Sequence, residues 1–371
     1  PKKCKHLPPT PRTHISFPTT SLSSTVMFTS LNPSRKVFQS IIMKSQVRFS
    51  TSAAGVLSSM KGKHLTSIDK LSNDELNGLL QLSHQLKETY SDKSKPNPKP
   101  LEGESLSMIF QKRSTRTRVS TETGMAMLGG HALFLGPSDI QLGVNESMRD
   151  TACVLSRFNS IILARVYAHA DIIELAEYAS VPIINALSDL HHPLQTLADL
   201  MALQQHFGMD LAGKTVAWVG DGNNVLHDLM LGSVKMGMNV NIATPSGYEP
   251  NADILALTKE LAAENNAKVF TTTVADEAVK GADVVVTDTW VSMGQEAEYE
   301  KRVKEFEGYQ VNSELMAKAN PGAVFLHCLP RHPEEVTDEV IYSDASLVFN
   351  EAENRMWTVM AVMCAQLGKF D

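Results

Sequence analysis

Short apolar runs alternate with helix-patterned segments along most of the chain, and this alternation predicts the architecture. Each run has the length of a buried strand, and the segments between them repeat apolar residues at helical spacing. Such alternation is typical of a parallel sheet that is covered by helices. The runs expected to form strands are residues 105–110, 132–135, 161–164, 181–186, 214–219, 239–243, 267–271, 282–286 and 323–327.

One long helical segment, residues 192–207, separates these strands into two series, and we expect it to bridge them. A last helix, from Glu351 to about Leu367, is apolar on one side. The predicted fold class is α/β, with two domains that are each an open parallel sheet with helices on both faces, linked by the bridging helix and the C-terminal helix. Ligands of such sheets bind beyond the carboxyl ends of the strands, so we expect the chemistry between the domains. The expected divisions are a leader at 1–50, a first domain at 58–191, the bridging helix at 192–207, a second domain at 208–349, and a C-terminal helix at 350–371 that packs back on the first domain.

The front of the chain differs from the rest in charge. It holds ten Lys or Arg before its first acidic residue, Asp69, whereas the remainder holds 24 bases and 41 acids, a net charge of -17. An acidic body argues against nucleic acid as a partner. The leader is also rich in Ser and Thr, which is typical of a mitochondrial transit peptide, so we expect residues 1–50 to be disordered and the mature protein to reside in the mitochondrial matrix. The other interpretation is a disordered basic tail.

The chain has 43% hydrophobic residues and only four cysteines. No apolar run reaches the ~18 residues that would span a membrane, so a membrane-embedded protein is not expected. The cysteines are far apart and show no zinc spacing and no disulfide framework. We expect a reducing compartment and no metal or other cofactor.

The stretch from Gln111 to Arg118 follows the strand predicted at 105–110 and begins a helix. Free backbone N–H groups and the positive end of the helix dipole meet there, which suits an anion. Ser and Thr hydroxyls add donors, and Arg116 adds a planar fork that matches a phosphate. Cations at this end of a helix are unfavourable without an anion, so the stretch predicts a phosphate site. The alternative is an ordinary helix cap.

Four further polar residues in the chain fit the same anion. Arg165 directly follows the strand predicted at 161–164. His192 and Gln195 open the bridging helix and, being three residues apart, share a face. Arg355 lies in the first turn of the last helix, again at the electropositive end.

The second half of the chain carries a glycine-rich turn, Gly220-Asp-Gly-Asn-Asn224. It resembles a dinucleotide fingerprint only weakly, since Val225 takes the place of the third glycine and no acid ends the next strand. Two Asn side chains suit an amino acid head group instead, and a simple tight turn is the remaining interpretation.

Two more predicted strands end in reactive residues. Asp288 ends one strand and can pair with a substrate ammonium, with a Gly-containing loop after it to close over the ligand. Cys328 follows another strand and has His327 and Arg331 beside it. A lone Cys is usually a small core residue, but these neighbours favour a polar site.

Taken together, these motifs resemble the ornithine carbamoyltransferases. The Ser-Met-Gly and His-Cys-Leu-Pro runs are similar to the ornithine branch and not the aspartate branch. Small departures are Gln111, where an acid is expected, and His191, where an aromatic residue is common. Seven motifs occur in the expected order: Ser-Thr-Arg-Thr-Arg at 114–118, Ala-Arg-Val-Tyr at 164–167, His-Pro-Leu-Gln at 192–195, Gly-Asp-Gly-Asn-Asn at 220–224, Asp-Thr-Trp-Val-Ser-Met-Gly at 288–294, His-Cys-Leu-Pro-Arg at 327–331 and Glu-Asn-Arg at 353–355.

The resemblance implies that the first domain binds carbamoyl phosphate and the second binds ornithine. It implies catalytic roles for Arg116, His192 and Cys328. It also implies a homotrimer with sites at subunit interfaces, where His131 is expected to reach the neighbour's phosphate. The carbamoyl phosphate residues would be Ser114, Thr115, Arg116, Thr117, Arg165, His192, Gln195, Cys328, Leu329 and Arg355. The ornithine residues would be Asn224, Asp288, Ser292 and Met293.

The implied reaction moves the carbamoyl group from carbamoyl phosphate to the side-chain amine of ornithine, which gives citrulline and phosphate in arginine synthesis. Arg116, Arg165 and His192 are placed to stabilise the tetrahedral oxyanion. We expect Cys328 to accept the amine proton as a thiolate; alternatively it only positions the amine, and phosphate takes the proton. Competing functions are carbamoyl transfer to putrescine, acetylornithine or aspartate, a Rossmann-type dehydrogenase, and a non-catalytic relative that binds a partner.

Overall fold

The computed structural model describes residues 51–139, 146–291 and 296–370. The predicted leader therefore lies outside the described residues, and so do Ser292 and Met293 of the expected ornithine site. No helix in the three described ranges combines the length and the apolar character needed to cross a membrane.

The first sheet is parallel and has the spatial order β2-β1-β3-β4. Its inner strands are almost entirely buried, as expected for a sheet with helices on both faces, whereas the edge strand β2 is partly exposed. The strands are β1 (Ser105–Phe110), β2 (His131–Leu135), β3 (Ile161–Arg165) and β4 (Ile183–Leu187).

The second sheet is also parallel and has the order β7-β6-β5-β8-β9. Its central strands β5 and β8 carry mostly Val, Ala and Trp side chains, which are buried. The strands are β5 (Thr215–Val219), β6 (Asn239–Ala243), β7 (Val269–Thr272), β8 (Val284–Thr287) and β9 (Val324–His327).

In each sheet the strand order reverses at one point, which lies between β1 and β3 in the first sheet and between β5 and β8 in the second. Loops on the two sides of such a point diverge, so a crevice forms outside the carboxyl ends of the strands. The strands that end in predicted site residues lie at or beside these points. β1, β3, β5 and β8 flank them, and β4 and β9 are the next strands outward. The topology thus selects the edge of each sheet at which a ligand binds.

The helices fill the connections between strands. They are α1 (Thr51–Ser58), α2 (Asn73–Ser91), α3 (Thr115–Met127), α4 (Met148–Leu155), α5 (His169–Tyr178), α6 (Pro193–Phe207), α7 (Asn224–Lys235), α8 (Ala252–Glu264), α9 (Ala275–Val279), α10 (Tyr299–Glu305), α11 (Ser313–Met316), α12 (Asp338–Ile341) and α13 (Val348–Leu367).

Two helices connect the sheets. The helix α6 begins with Pro193 at its first turn and packs on β4, α7 and α13. The helix α13 contacts α2, α3 and β9. One apolar cluster runs through both sheets and both helices, with Leu106, Val216, Leu197 and Met360 among its members. The predicted fold class, two open parallel sheets joined by a bridging and a C-terminal helix, is confirmed.

The C-terminal helix begins three residues earlier than predicted, at Val348. Its N-cap is Leu347, whose side chain makes no capping hydrogen bond. Ser, Thr, Asp or Asn normally mark this position, so the sequence gives no signal for the true start.

Candidate active site

A cavity of about 830 Å³ lies at the carboxyl ends of the strands of both sheets. This volume falls in the range of ~300–1,000 Å³ that is usual for small-molecule sites. Its walls come from the loops after β1, β3 and β4 on one side and after β5, β8 and β9 on the other. The predicted residues that line it are Ser114, Thr115, Arg116, Thr117, Arg165, His192, Asn224, Asp288, Cys328, Leu329 and Arg355.

Ser114 is the N-cap of α3, and its Oγ accepts a hydrogen bond of 3.3 Å from the Thr117 backbone N–H. The first turn of this helix carries no acidic residue. The remaining N–H groups and the helix dipole therefore form a positive site toward the cavity, as the sequence predicts.

Arg116 extends from this helix across the cavity. Its Nη2 donates a hydrogen bond to the backbone oxygen of Leu329, which follows β9 in the other sheet. The side chain thus connects the anion side of the cavity with the strand end that carries Cys328.

Two buried guanidinium groups complete the positive wall. Burial and the charge of neighbouring arginines lower the pKa of Arg165 to about 10, and burial likewise lowers the pKa of Arg355 to about 10. Both stay protonated at neutral pH. Within the described ranges, neither the Arg165 Nε nor the Arg355 Nε has a hydrogen-bond partner. Buried cations with free donors are costly unless an anion pairs with them, so this wall suits a phosphate.

His192 is buried against the same arginines. Burial first, and then the charges of Arg355, Arg165 and Arg116, lower its pKa well below 6.5. The imidazole is therefore neutral at physiological pH. A neutral ring can donate one hydrogen bond to a carbonyl oxygen without adding another positive charge.

Gln195 is buried beside the cavity and contacts Arg355 of its wall, and the contact with the carbamoyl group that the resemblance implies stays a prediction. Its Oε1 accepts a hydrogen bond of 2.6 Å from Arg355 Nη1. Helical spacing predicts its face correctly, but α13 packs over that face and buries the side chain. Gln195 therefore contacts an arginine of the wall.

On the opposite wall, three side chains meet at one point. The Cys328 thiol donates to Asp288 Oδ1 at 2.9 Å, and Asn223 Nδ2 donates to Asp288 Oδ2 at 2.9 Å. Asn224 Nδ2 donates to the backbone oxygen of Ser188 after β4, at 2.7 Å, which ties the two sheets together. Asp288 is thus a buried carboxylate at the centre of this wall, where a cationic ligand group would be neutralised.

The protonation of Cys328 differs from expectation. Burial, the charge of Asp288 and its hydrogen bond raise the thiol pKa well above 9.0, although Arg116 opposes this. The expected role of Cys328 as proton acceptor requires a depressed thiol pKa. The thiol instead keeps its proton, because it is buried and lies against the Asp288 carboxylate.

Residues 63–205 match the family model described as "Aspartate/ornithine carbamoyltransferase, carbamoyl-P binding domain", and residues 212–366 match "Aspartate/ornithine carbamoyltransferase, Asp/Orn binding domain". The chain belongs to the aspartate/ornithine carbamoyltransferase family. The first matched region carries the first turn of α3, Arg165 and His192 of the cavity, and the second carries Asn224, Asp288, Cys328 and Arg355.

Individual relatives of this family are similar over most of their length. "Ornithine transcarbamylase, mitochondrial" from Gallus gallus is 52% identical over 308 residues, which are 83% of this chain and 86% of the relative. The solved ornithine carbamoyltransferase from Pyrococcus furiosus has a TM-score of 0.80 at 46% identity and covers 83% of this chain and 98% of its own. A mitochondrial ornithine carbamoyltransferase from Coccidioides immitis has a TM-score of 0.77 at 44% identity, with 84% and 99% covered.

One pair of residues in the second wall of the cavity has no signal in the sequence. Arg302 Nη1 donates to Asp221 Oδ2 at 3.0 Å and to the backbone oxygen of Trp290 at 2.9 Å. Burial raises the Asp221 pKa to about 6, against the lowering effect of Arg302. Arg302 lies in α10 among other charged residues, so its sequence neighbours give it the appearance of a surface residue. Its position in the cavity wall is apparent only from the packing of α10 against Asp221 and Trp290.

The glycine turn that suggested a dinucleotide site has a packing explanation. A Cβ at Gly222 would lie 2.4 Å from the backbone of Glu249 and 2.4 Å from that of Pro250. The Gly222 N–H also donates to the Tyr248 backbone oxygen at 2.8 Å. The missing side chain therefore allows residues 247–250 to approach and form part of the cavity wall.

Replacing Gly222 with alanine is expected to lower the free energy of unfolding by about 1–3 kcal/mol, because the backbone at 249–250 must move. Urea denaturation of both proteins measures this. Gly55→Ala is the matched control, since a Cβ there meets no atom within 4 Å. Equal stability of Gly222→Ala and wild type would contradict the packing explanation.

In the part of the chain that the structure describes, no group of three or more His, Cys, Asp or Glu side chains is arranged to hold a metal ion. The cavity instead combines arginine side chains with the separate carboxylates of Asp189, Asp221, Glu249 and Asp288.

Proposed function

We propose that the protein transfers the carbamoyl group from carbamoyl phosphate to the side-chain amine of L-ornithine, which gives L-citrulline and phosphate in arginine biosynthesis. The observation that carries this is one cavity with an arginine-rich wall from one sheet and a central carboxylate on the wall from the other. A doubly charged anion and an amino acid fit these two walls by charge. The names of the relatives agree with this assignment.

The phosphate of carbamoyl phosphate binds the first turn of α3, where Ser114, Thr115, Arg116 and Thr117 supply donors. Arg165 supplies a second guanidinium to the same group. His192 donates to the carbamoyl oxygen as a neutral imidazole, with Arg355 and the Leu329 backbone at the same end. The Ser114 hydroxyl caps α3 and fixes the direction of its first backbone N–H groups, which supports the assignment of this helix end to the phosphate.

Ornithine binds the other wall by its amino acid head. Asp288 pairs with the α-ammonium, and Asn224 binds the head group together with Ser292 and Met293. The central position of Asp288 among donors, and its loss of solvent contact, support this pairing. Acetylornithine carries an uncharged amide in place of the α-ammonium and leaves this carboxylate unpaired. Putrescine lacks the α-carboxylate of the amino acid head, and aspartate brings a second negative charge.

The uncharged δ-amine of ornithine attacks the carbamoyl carbon, and the carbonyl oxygen becomes an oxyanion. Arg116 and His192 stabilise this charge, and donors of this kind contribute several kcal/mol each. When the intermediate collapses, the C–O bond to phosphate breaks and inorganic phosphate leaves. Because burial and Asp288 keep the Cys328 thiol protonated, we assign the amine proton to the leaving phosphate and give Cys328 a positioning contact with the amine.

Replacing Cys328 with serine tests this assignment. Serine keeps a donor toward Asp288, so kcat is expected to fall by no more than about tenfold, the effect of one weakened hydrogen bond. The dependence of kcat on pH between 6 and 9 is expected to keep its shape, since the thiol pKa lies above this window. Loss of one limb of the wild-type profile in the serine variant would restore the role of Cys328 as proton acceptor.

The decisive assay uses the purified protein without its first 50 or so residues. It is expected to form citrulline from carbamoyl phosphate and ornithine, and to form much less product with putrescine, acetylornithine or aspartate. Absence of citrulline would reject the proposed function, whereas a faster rate with another amine would reassign the substrate.

We also propose a homotrimer with sites at the subunit interfaces. The edge strand β2 exposes His131 and Leu133, and Val119 of the adjacent α3 is exposed too. An exposed apolar edge beside the phosphate-binding helix supports a subunit contact there. Light scattering is expected to give three times the chain mass, and a monomer would contradict this.

The mitochondrial matrix is the proposed location. The acid-free basic leader and the mitochondrial names of relatives such as that from Schizosaccharomyces pombe support it. Residues 1–50 fused to a fluorescent protein are expected to direct it into mitochondria, and diffuse cytoplasmic fluorescence would contradict the proposal.

A further inference from the structure

Two carboxyl groups lie behind the cavity, where α6 packs on α13. Asp199 is one helical turn after Gln195, and Glu351 is one turn before Arg355. Their exposed fractions are 2% and 1%. Buried acids of this kind are costly unless they are hydrogen-bonded, so their presence needs an explanation.

Both acids bind the same end of one amide. Gln195 Nε2 donates to Asp199 Oδ1 at 2.7 Å and also to Glu351 Oε1. Both carboxyl groups therefore lie against one NH2 group, and a proton held by either acid reduces the repulsion between them.

The amide orientation follows from these contacts. An amide has one donor end and one acceptor end, and the two acids occupy the donor end. The Gln195 oxygen must then point the other way, where it accepts from Arg355 Nη1 at 2.6 Å. A flipped amide would direct its NH2 group at the guanidinium and leave both acids without a donor.

The guanidinium is fixed on a second side as well, because Arg355 Nη2 donates to Thr117 Oγ1 at 3.1 Å. Glu351 has a further contact, since its Oε2 accepts from the His327 backbone N–H at 3.2 Å. One carboxyl group therefore acts on both Arg355 and the strand end that precedes Cys328.

We propose that Asp199 and Glu351 are positioning residues for carbamoyl phosphate: they hold the Gln195 amide in one orientation, and Gln195 holds Arg355 in the cavity wall. This inference rests on the proposed function for the identity of the substrate. It assigns a role to two acids that lie outside the cavity and to a glutamine that the resemblance places in contact with the substrate.

The protonation of the pair agrees with this role. Burial raises the pKa of Glu351 well above 4.5, and burial raises the pKa of Asp199 to about 7. Both shifts favour a protonated acid over two carboxylates. Less negative charge behind Arg355 leaves the wall more positive for phosphate.

Asp199→Leu is the first test, because it removes the acceptor and the charge while keeping a similar size. The KM for carbamoyl phosphate and the dissociation constant for inorganic phosphate, measured by calorimetry, are both expected to rise about 10- to 100-fold, the effect of one misplaced charged hydrogen bond. The KM for ornithine is expected to change much less. Asp199→Asn can accept from Gln195 and donate to Glu351, so it is expected to recover most of the phosphate affinity.

Glu351→Gln gives an independent test that keeps the size of the side chain. In this variant an amide oxygen replaces only one of the two carboxylate oxygens, and an NH2 group replaces the other. This NH2 group then faces either Gln195 Nε2 or the His327 backbone N–H, which are both donors. The same selective loss of phosphate affinity is expected. If Asp199→Leu does not fold, Glu351→Gln alone tests the positioning role. Wild-type phosphate affinity in either folded variant would overturn the proposal.

Gln205→Ala is the matched control. Gln205 and Asn354 exchange hydrogen bonds of 3.0 and 3.3 Å between the same two helices. Asn354 precedes Arg355 in the chain, but these two bonds involve neither the Gln195 nor the Arg355 side chain. The control variant is expected to lower the melting temperature without changing phosphate affinity. Equal loss of affinity in this control would show that helix packing alone is responsible and would reject the positioning role. Calorimetry of phosphate binding needs no turnover. If the wild type formed no citrulline, the proposed function would be rejected, but the effect of the variants on phosphate binding could still be measured.

Discussion

Replacing Arg116 with glutamine is expected to lower kcat by about 10²- to 10³-fold, the loss seen when one donor to a developing oxyanion is removed. The Arg116 guanidinium lies on the phosphate-binding helix and reaches the Leu329 backbone across the cavity, so it is placed between the two substrates. Glutamine retains a donor but loses the charge and the fork. Initial rates of citrulline formation at saturating substrates measure the effect.

Arg118→Gln is the control for this prediction. Arg118 belongs to the same Ser-Thr-Arg-Thr-Arg motif, but its Nε donates to Glu122 at 3.0 Å and its guanidinium stacks 3.6 Å from the Phe134 ring centre. It is a surface pair, whose loss costs about 0–1 kcal/mol of stability. Equal loss of activity in both variants would mean that the two arginines act by stabilising α3, and it would contradict a specific role of Arg116 in the reaction.

The strand ends were predictable because the carboxyl ends of parallel strands meet at one edge of a sheet. Ser114, Arg165, Asn224, Asp288 and Cys328 each follow an apolar run, and the structure brings them to one cavity. This required no knowledge of strand order. Local patterns were sufficient wherever a residue's position depends mainly on the end of its own strand.

Other features depended on which elements pack together, and no local pattern encodes that. The Cys328 pKa rises because the thiol is buried and because β8 and β9 are neighbours, so that Asp288 lies against it. Gln195 is buried because α13 returns over α6 from more than 100 residues later in the chain. Arg302 reaches Asp221 from a helix whose charges look like an ordinary solvated surface. In each case the environment of a polar group is set by a partner that is distant in the sequence.

Replacing Asp288 with asparagine is expected to weaken ornithine binding strongly. The exchange removes the charge that pairs with the ornithine α-ammonium, while an asparagine oxygen can still accept from Asn223 Nδ2. Loss of one partner of a buried ion pair costs about 3–5 kcal/mol, so kcat/KM for ornithine is expected to fall by at least about 10²-fold. Phosphate affinity is expected to change little. Asp276→Asn, on the surface beside Lys318, is the control and is expected to leave both values unchanged.

The same exchange is expected to make Cys328 more reactive. The charge of Asp288 and its hydrogen bond both raise the thiol pKa, so their removal lowers it, although burial continues to oppose ionisation. A lower pKa means more thiolate at pH 8, and the thiolate is the form that iodoacetamide alkylates. Mass spectrometry of the peptide that carries Cys328 measures the rate, with the exposed Cys153 in the same sample as an internal reference. An unchanged alkylation ratio together with a large loss of ornithine affinity would mean that Asp288 binds substrate without controlling the thiol, and Cys328 would then owe its protonation to burial alone.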